Sequence, residues 1–377
     1  MPSAVRQSFA ELLVPEADDL GRLTKGEIWW RNCVRWLELE PYAGYVLPPR
    51  FRQDWRPSWK EHPKRHPSEF EDWYRYENAN IVDAIRLKDK RHVALKRIDL
   101  TTARGMNEVE VVNWLYSPDR GDPDNHTVPL LEQLLEDDQK ILVMPFLRQC
   151  DDPAWDTVGE VMSFLKQVFE GVAYMHRMSV AHREIKAASI MYDPTNLYPD
   201  GYHPIVRDKR SDLKGIAKRR TRTDCPVTYY FVGFGSAKRY WDVTRRPLEF
   251  PPVDRNMTVH EVLQLDDRPS DPFMDDIRCL GQMVRTVILM KYRRVSFLAP
   301  LVKDMLQESA SKRPTAADVV RRFNSLQGAL TERQLRARLV PVYEGTLLGL
   351  CRNIRHTFRM LRWKCRDKVA VPLPPEP

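Results

Sequence analysis

Several things are scarce in this chain of 377 residues. No stretch approaches 18 uncharged apolar residues, so a membrane-spanning helix is not expected. The N-terminal stretch MPSAVRQSFAELLVPEADDL lacks a basic segment followed by an apolar one, so a secretory leader is not expected either. Six cysteines (Cys33, Cys150, Cys225, Cys279, Cys351, Cys365) are scattered, and no two form C-x-x-C. That spacing indicates neither a zinc site nor a disulfide framework, and a reducing intracellular location, cytoplasmic or nuclear, is the expectation. Glycine is sparse, 15 in all, with none between Gly44 and Gly105. Across that gap no glycine-rich loop can bring its amides close to a phosphate. Acidic residues number 52 against 60 Lys and Arg, a net charge of +8. The surplus suits an acidic partner or nucleic acid, although a solvated basic surface is the plainer account of it.

Hydrophobic residues make up 42% and charged residues 30%, enough for a core in a water-soluble chain. Residues 1–40 read as two short helices with an apolar cluster at Ile28, Trp29, Trp30, Val34 and Trp36. From Pro41 to Pro67 proline, arginine and tryptophan dominate, which predicts an extended, irregular strap with docked aromatics. IVDAIRL and HVALKRI, separated by KDKR, predict a hairpin. Residues 106–116 read as a helix, LLEQLLE and KILVMPF as a second hairpin, and Val158 to Arg177 as a long helix with apolar residues at helical spacing. A strand (VTYYFV) and helices to about residue 345 follow. Strands first and helices after imply an α+β chain. The organisation expected is 1–78 as helices and strap, 79–147 as a strand-rich unit, 148–330 as a helical unit and 331–377 as a helix and basic tail.

Five ordered motifs carry chemistry. V-A-L-K places Lys96 on a strand. A-H-R-E-I-K-A-A-S, residues 181–189, follows the long helix. F-V-G-F-G-S-A spans 231–237, D-D-I-R-C-L-G spans 275–281, and K-R-P-T-A-A-D-V spans 312–319. These resemble, in order, the strand-three lysine, the catalytic loop H-R-D-x-K-x-x-N, the metal-binding D-F-G, the central-helix Asp and the Arg-Pro-Thr of protein kinases. The chain from about 80 to 330 resembles a protein-kinase domain, most closely a large kinase-like family of mushroom-forming fungi. GYVLPPRF…DWRPSW, NHTVPLL…ILVMPFLR and LYPDGYHP also look like that family.

The resemblance implies a bilobal protein-kinase-like fold, with a small β-rich N-lobe, a hinge near 147 and a larger helical C-lobe. It implies Lys96 paired with Glu108 (Glu110 the alternate) on ATP phosphates. It also implies Met144 as gatekeeper, Pro145 and Leu147 as backbone partners of adenine, and a packed spine of Val112, Leu134 or Leu135, His182 and Phe234. Asp276 would hold the catalytic-loop backbone, and Arg313 would pair with Glu261. Phosphoryl transfer needs in-line positioning and cations on the transferred group. The base position holds Glu184 beside Arg183 and Lys186, one methylene longer than aspartate. The two metal-ligand positions hold Ser189 and Gly233. Glycine offers no ligand, and a serine hydroxyl is a poor one for a hard cation. Asp193 is the nearest carboxylate that could substitute. The resemblance therefore implies a pseudokinase that binds ATP weakly or not at all, with magnesium binding in doubt. The alternatives are a slow Ser/Thr kinase using Glu184 as base and a nucleic-acid or chromatin-associated scaffold.

Forty-nine positions separate Glu184 from Gly233 (233 − 184), more than the family places there, because of a basic insertion at about 194–226. Residues 207–222 hold eight Lys and Arg against two Asp, which reads first as a solvated loop and otherwise as a contact for an acidic partner or a nuclear-import patch. In CRNIRHTFRMLRWKCR, Ile354, Phe358 and Leu361 recur at helical spacing between arginines. Packing of that helix on the large lobe is expected, with a membrane surface or acidic partner as the other reading. The end, VAVPLPPEP, is expected to be disordered. The sequence names no protein partner.

Overall fold

The computed structural model describes residues 23–38 (side chains of 34–36 excepted), 44–76, 78, 80–116, 121–241, 248–250 and 269–374. Expectations about residues 1–22, Val34, Trp36 and Glu261 lie outside these. The chain divides into two compact units. The first is Met1–Leu100, Pro129–Phe146 and Tyr198–Arg219; the second is Thr101–Val128, Leu147–Leu197 and Arg220–Pro377.

The first unit is a curled antiparallel sheet with a helix and strap on one face. Helix α1 (Lys25–Glu38) begins in a reciprocal cap, Thr24 N–H to Glu27 Oε2 at 2.9 Å and Glu27 N–H to Thr24 Oγ1 at 3.3 Å. Strands β1 (Tyr45–Val46), β2 (Ile81–Arg86), β3 (His92–Asp99), β4 (Glu132–Glu136) and β5 (Gln139–Pro145) pair in the order β1-β2-β3-β5-β4. Alternation along HVALKRI sends Val93 and Leu95 to one face with Val82, Ala84, Ile141 and Val143. There they meet Trp30 and Leu37 of α1 and Leu47 and Phe51 of the strap. The strap is a series of short 3-10 turns. Asp72 fixes it by accepting from Trp55 Nε1 and Ser58 N, both at 2.9 Å. Arg50 and Glu27 form a buried ion pair at 3.0 Å. Such a pair costs several kcal/mol (about 3–5) to break from one side. The N-terminal segment thus shares one core with the sheet.

Residues 198–219 of the basic insertion belong to this unit. They form a tight excursion in which Arg210 N–H donates to Gly215 O at 3.0 Å, with Gly215 at φ 120°, a backbone only glycine adopts readily. Tyr202 lies 6.2 Å from Phe146 and His203 lies 5.5 Å from Tyr74, ring to ring.

The second unit centres on a helix buried nearly all round. Helix α2 (Ala103–Leu115) is followed by β6 (Arg148–Gln149) and α3 (Val158–Arg177). Sixteen of the 20 residues of α3 are buried, which makes it a core helix. Thr157 caps it, accepting from Glu160 N at 3.1 Å. After β7 (Val180–Ala181), β8 (Ile190–Tyr192), β9 (Tyr229–Phe231) and β10 (Lys238–Arg239) come α4 (Pro272–Val284), α5 (Ala299–Met305) and α6 (Ala316–Gly328). Phe169 of α3 meets Phe323 of α6 edge to face at 5.1 Å. Short α7 (Glu332–Leu335) and long α8 (Thr346–Lys364) close the unit. No helix among the described residues is long and apolar enough to cross a membrane.

One expectation is refined here and one corrected. Helix α8 packs within the second unit through Gly349, His356 and Trp363, whereas Ile354, Phe358 and Leu361 are more than half exposed, so its apolar stripe is not the packed face. The segment after it is ordered as far as residue 374: Arg336 Nη2 donates to Lys368 O at 2.7 Å and Ser163 Oγ donates to Pro372 O at 2.5 Å. Gly159 is required at that contact, because a Cβ there would lie 1.8 Å from Ala370 O.

The basic run is also not one solvated arm. Arg222 is buried, donating to Pro153 O at 2.7 Å and Cys150 O at 3.0 Å and lying over Tyr192. Its surroundings include Glu160, whose pKa burial raises and Arg222 draws back down. Glu160 accepts from Thr223 N at 2.9 Å and Thr223 Oγ1 at 2.8 Å.

Candidate functional site

The loop from His182 to Ser189 runs between β7 and β8, and its first two amides are held from below. Asp276 of α4, fully buried, accepts from His182 N at 2.8 Å, Arg183 N at 2.7 Å and His176 Nε2 at 3.1 Å. Charge-assisted bonds to a buried carboxylate are among the stronger a loop can have. They hold Arg183 at φ 65°, a left-handed backbone that a non-glycine residue takes at some cost. Arg183 sends its guanidinium to Phe250 O at 2.9 Å and to Glu249 at 3.3 Å.

His182 is completely buried, and that burial holds its pKa below the ordinary histidine value. Neutral imidazole fits both ring contacts: Nε2 donates to Val232 O at 3.3 Å, and Nδ1 accepts from Glu184 N at 3.3 Å. Its ring lies 5.2 Å from that of Phe234. Of the expected spine, the second unit thus brings His182 and Phe234 together and buries Val112. In the first unit Leu134 is buried and Leu135 is exposed.

Glu184 projects from the loop into a small polar cluster. Its Oε1 accepts from Lys186 Nζ at 2.5 Å and its Oε2 from Ser236 Oγ at 3.0 Å, with Arg104 Nη2 of α2 at 3.8 Å. Arg104 crosses so close to Gly235 that a Cβ there would stand 2.7 Å from its Nε. Glu184 and Lys186 are therefore in direct contact. Arg104 and Ser236 were not legible as members, because nothing in the sequence ties 104 to 184.

The two positions that the resemblance would make metal ligands are built differently. Ser189 is buried, and its hydroxyl turns to the loop's own backbone, accepting from Lys186 N at 3.0 Å and donating to Lys186 O at 2.8 Å. Gly233 sits at φ 80°, ψ 51°, and a built Cβ meets nothing within 4 Å. The place where a metal-binding side chain would project is thus roomy but carries none. Asp193 closes a local turn, accepting from Thr195 N at 2.9 Å and Thr195 Oγ1 at 2.6 Å. These residues do not fit a pair of magnesium ions, a hard cation that takes octahedral oxygen ligands. Among the described residues no group of three or more His, Cys, Asp or Glu is placed to hold a metal.

The remaining candidates are placed element by element. Lys96 on β3 pairs with Leu142 of β5, and Met144 pairs with Ala94. Paired residues share a face, so Lys96 and Met144 lie on the side of the sheet opposite Trp30 and Phe51. Pro145, paired with Val93, ends β5. Leu147 falls in the second unit and is partly exposed. Glu108 is buried on α2, whereas the alternate Glu110 is exposed. Arg313 pairs with Asp275 at 3.1 Å and also donates to Gln307 O, Met274 O and Glu308 O.

No family model matches the chain. It is 24% identical over 175 residues to a probable serine/threonine-protein kinase of Dictyostelium discoideum, covering 44% of this chain and 10% of that protein. It is 28% identical over 120 residues to a probable cell division protein kinase of Encephalitozoon cuniculi (strain GB-M1), covering 30% of this chain and 43% of the relative. The chain therefore spans less than half the length of each curated relative. These distant matches support a protein-kinase-like domain, and the mixed α/β structure with its curled sheet is compatible with one.

Proposed function

We propose that this chain is a pseudokinase: a protein-kinase-like domain acting as a binding or allosteric module, with phosphoryl transfer lost or strongly reduced. The observation that carries the reading is the pairing of Ser189, whose hydroxyl is engaged by the Lys186 backbone, with Gly233, which has no side chain. Transfer needs cations to neutralise the moving group, and neither position supplies a competent ligand. In this reading ATP binds weakly or not at all. Lys96 and Glu108 set geometry, and Met144, Pro145 and Leu147 are the positions an adenine would meet. The protein partner is of unknown identity. Incubation with γ-labelled ATP and a broad set of acceptor proteins should show no transfer. Transfer that disappears in Lys96→Met would overturn the proposal.

One observation favours a second reading, a slow Ser/Thr kinase. Glu184 and Lys186 stand in direct contact, an arrangement suited to a base beside a phosphate-binding cation. General-base help is worth roughly 10²–10⁴-fold, so a misplaced glutamate could still leave detectable turnover. The double variant Gly233→Asp, Ser189→Asn should then gain rate sharply, and an unchanged rate counts against this reading.

A further inference from the structure

Helix α8 is mounted with its apolar side outward. Leu347, Leu350, Ile354, Phe358 and Leu361 recur three or four residues apart and so share one face. Their exposures run from 52% to 82%. Gly349, His356 and Trp363 are the buried residues, seven apart and displaced by about half a turn from the stripe.

The orientation is fixed by polar contacts on the inner side. His356 Nε2 donates to Arg336 O at 3.0 Å, Asn353 Oδ1 accepts from Arg338 Nε at 2.8 Å, and Arg359 pairs with Asp156 at 3.1 Å. Trp363 is 1% exposed. Rolling the helix to hide its leucines would break all of these. A contiguous apolar surface of this kind on a folded chain marks an interaction face.

The charges say what meets it. The helix carries five basic residues (Arg352, Arg355, Arg359, Arg362, Lys364) and no acidic one. Arg352 and Arg359 are paired, with Glu344 and Asp156. The side chains of Arg355, Arg362 and the following Arg366 have no hydrogen-bond or ion-pair partner among the described residues, and Lys364 feels Glu332 only at longer range. Arg355 and Arg362 each directly follow a stripe residue, Ile354 and Leu361. Tyr343, 96% exposed, stands just before the helix. Two copies docked stripe to stripe would bring these unpaired cations together, which disfavours self-association.

We propose that α8 docks this protein on an anionic lipid surface. The helix, about 28 Å long at 1.5 Å per residue, lies in the headgroup plane. Leu347, Leu350, Ile354, Phe358 and Leu361 enter the acyl boundary, and Arg355, Arg362 and Lys364 sit on lipid phosphates. The proposal does not depend on whether the kinase-like domain turns over.

Vesicle flotation of the full chain tests it, comparing phosphatidylcholine alone with phosphatidylcholine containing about one-third phosphatidylserine. Binding should favour the anionic vesicles and weaken with salt. Arg355→Glu with Arg362→Glu should weaken it about tenfold or more. Phe358→Glu with Leu361→Glu should abolish it without moving the melting temperature, since both side chains are exposed. Three results overturn the proposal: no flotation with either vesicle, flotation indifferent to both double variants, or a concentration-dependent dimer by light scattering that Phe358→Glu disperses in place of vesicle binding.

Discussion

The two ends of the catalytic-loop-like segment are built on different terms. At its start a buried carboxylate, Asp276, takes two backbone N–H groups and a histidine within 3.1 Å. At its end, Ser189 closes on the backbone three residues away, and the facing turn offers Gly233. Holding a loop in shape and gripping a cation are separate physical tasks. The first needs a desolvated acceptor with both oxygens engaged by donors. The second needs anionic oxygens left open to a metal. Asp276 does the first, and the proposed reading is that the residues at positions 189 and 233, a backbone-bonded hydroxyl and a glycine, are not built for the second.

Breaking the strong end should have the largest effect. Asp276→Ala strands two loop amides and a histidine and should lower unfolding free energy by about 3–5 kcal/mol, read by urea denaturation. Loss under about 1 kcal/mol would erase the contrast.

The same end should be acid-sensitive. His182 has its pKa depressed on folding, so the unfolded chain binds more protons at mildly acidic pH. The stability is complete above the unfolded value near 6.5 and declines as pH falls toward the folded pKa. The slope it contributes is at most about 1.4 kcal/mol per pH unit. His126 and His356, also lowered by burial, act with the same sign, so the difference between wild type and His182→Phe isolates the term. Parallel pH profiles for the two proteins would contradict it.

At the weak end, Ser189→Ala should cost about 1 kcal/mol, the worth of a local backbone clasp, and leave any nucleotide affinity unchanged. A loss of metal-dependent affinity would instead make the hydroxyl a ligand. Smallest of all is Gly233→Asp, whose Cβ has open space. Aspartate tolerates the left-handed backbone, so stability should shift by about 1 kcal/mol or less.

Much of this contrast was legible in the sequence. HVALKRI and KILVMPF are short apolar-rich runs that read as strands, the Val158–Arg177 periodicity marks a helix, and H-R-E-I-K-A-A-S with F-V-G-F-G locates the loop and its altered positions. Other features were not legible, for identifiable reasons. The strap's tryptophans do not reveal that Asp72 collects Trp55 and Ser58, because that contact depends on a series of short turns. Counting charge placed Arg222 with its solvated neighbours, although its partners are carbonyls about 70 residues away. Periodicity in α8 defined an apolar face but not its direction. His356 and Trp363, isolated in sequence, set that direction through contacts with residues outside the helix. The tail from Lys368 through VAVPL looked featureless because its placement comes from two carbonyls, of Lys368 and Pro372, meeting Arg336 and Ser163.

The most direct measurement is a thermal-shift titration with ATP, run with and without Mg²⁺, on the wild type and on Gly233→Asp, Ser189→Asn. A ligand that binds only the native state raises the melting temperature in proportion to ln(1 + [L]/Kd). Whatever rise ATP produces in the wild type should be the same with and without the cation, and the double variant should acquire a magnesium-dependent increment. A wild-type shift that needs magnesium would contradict the account, since a working cation site would then exist without the side chains at 189 and 233.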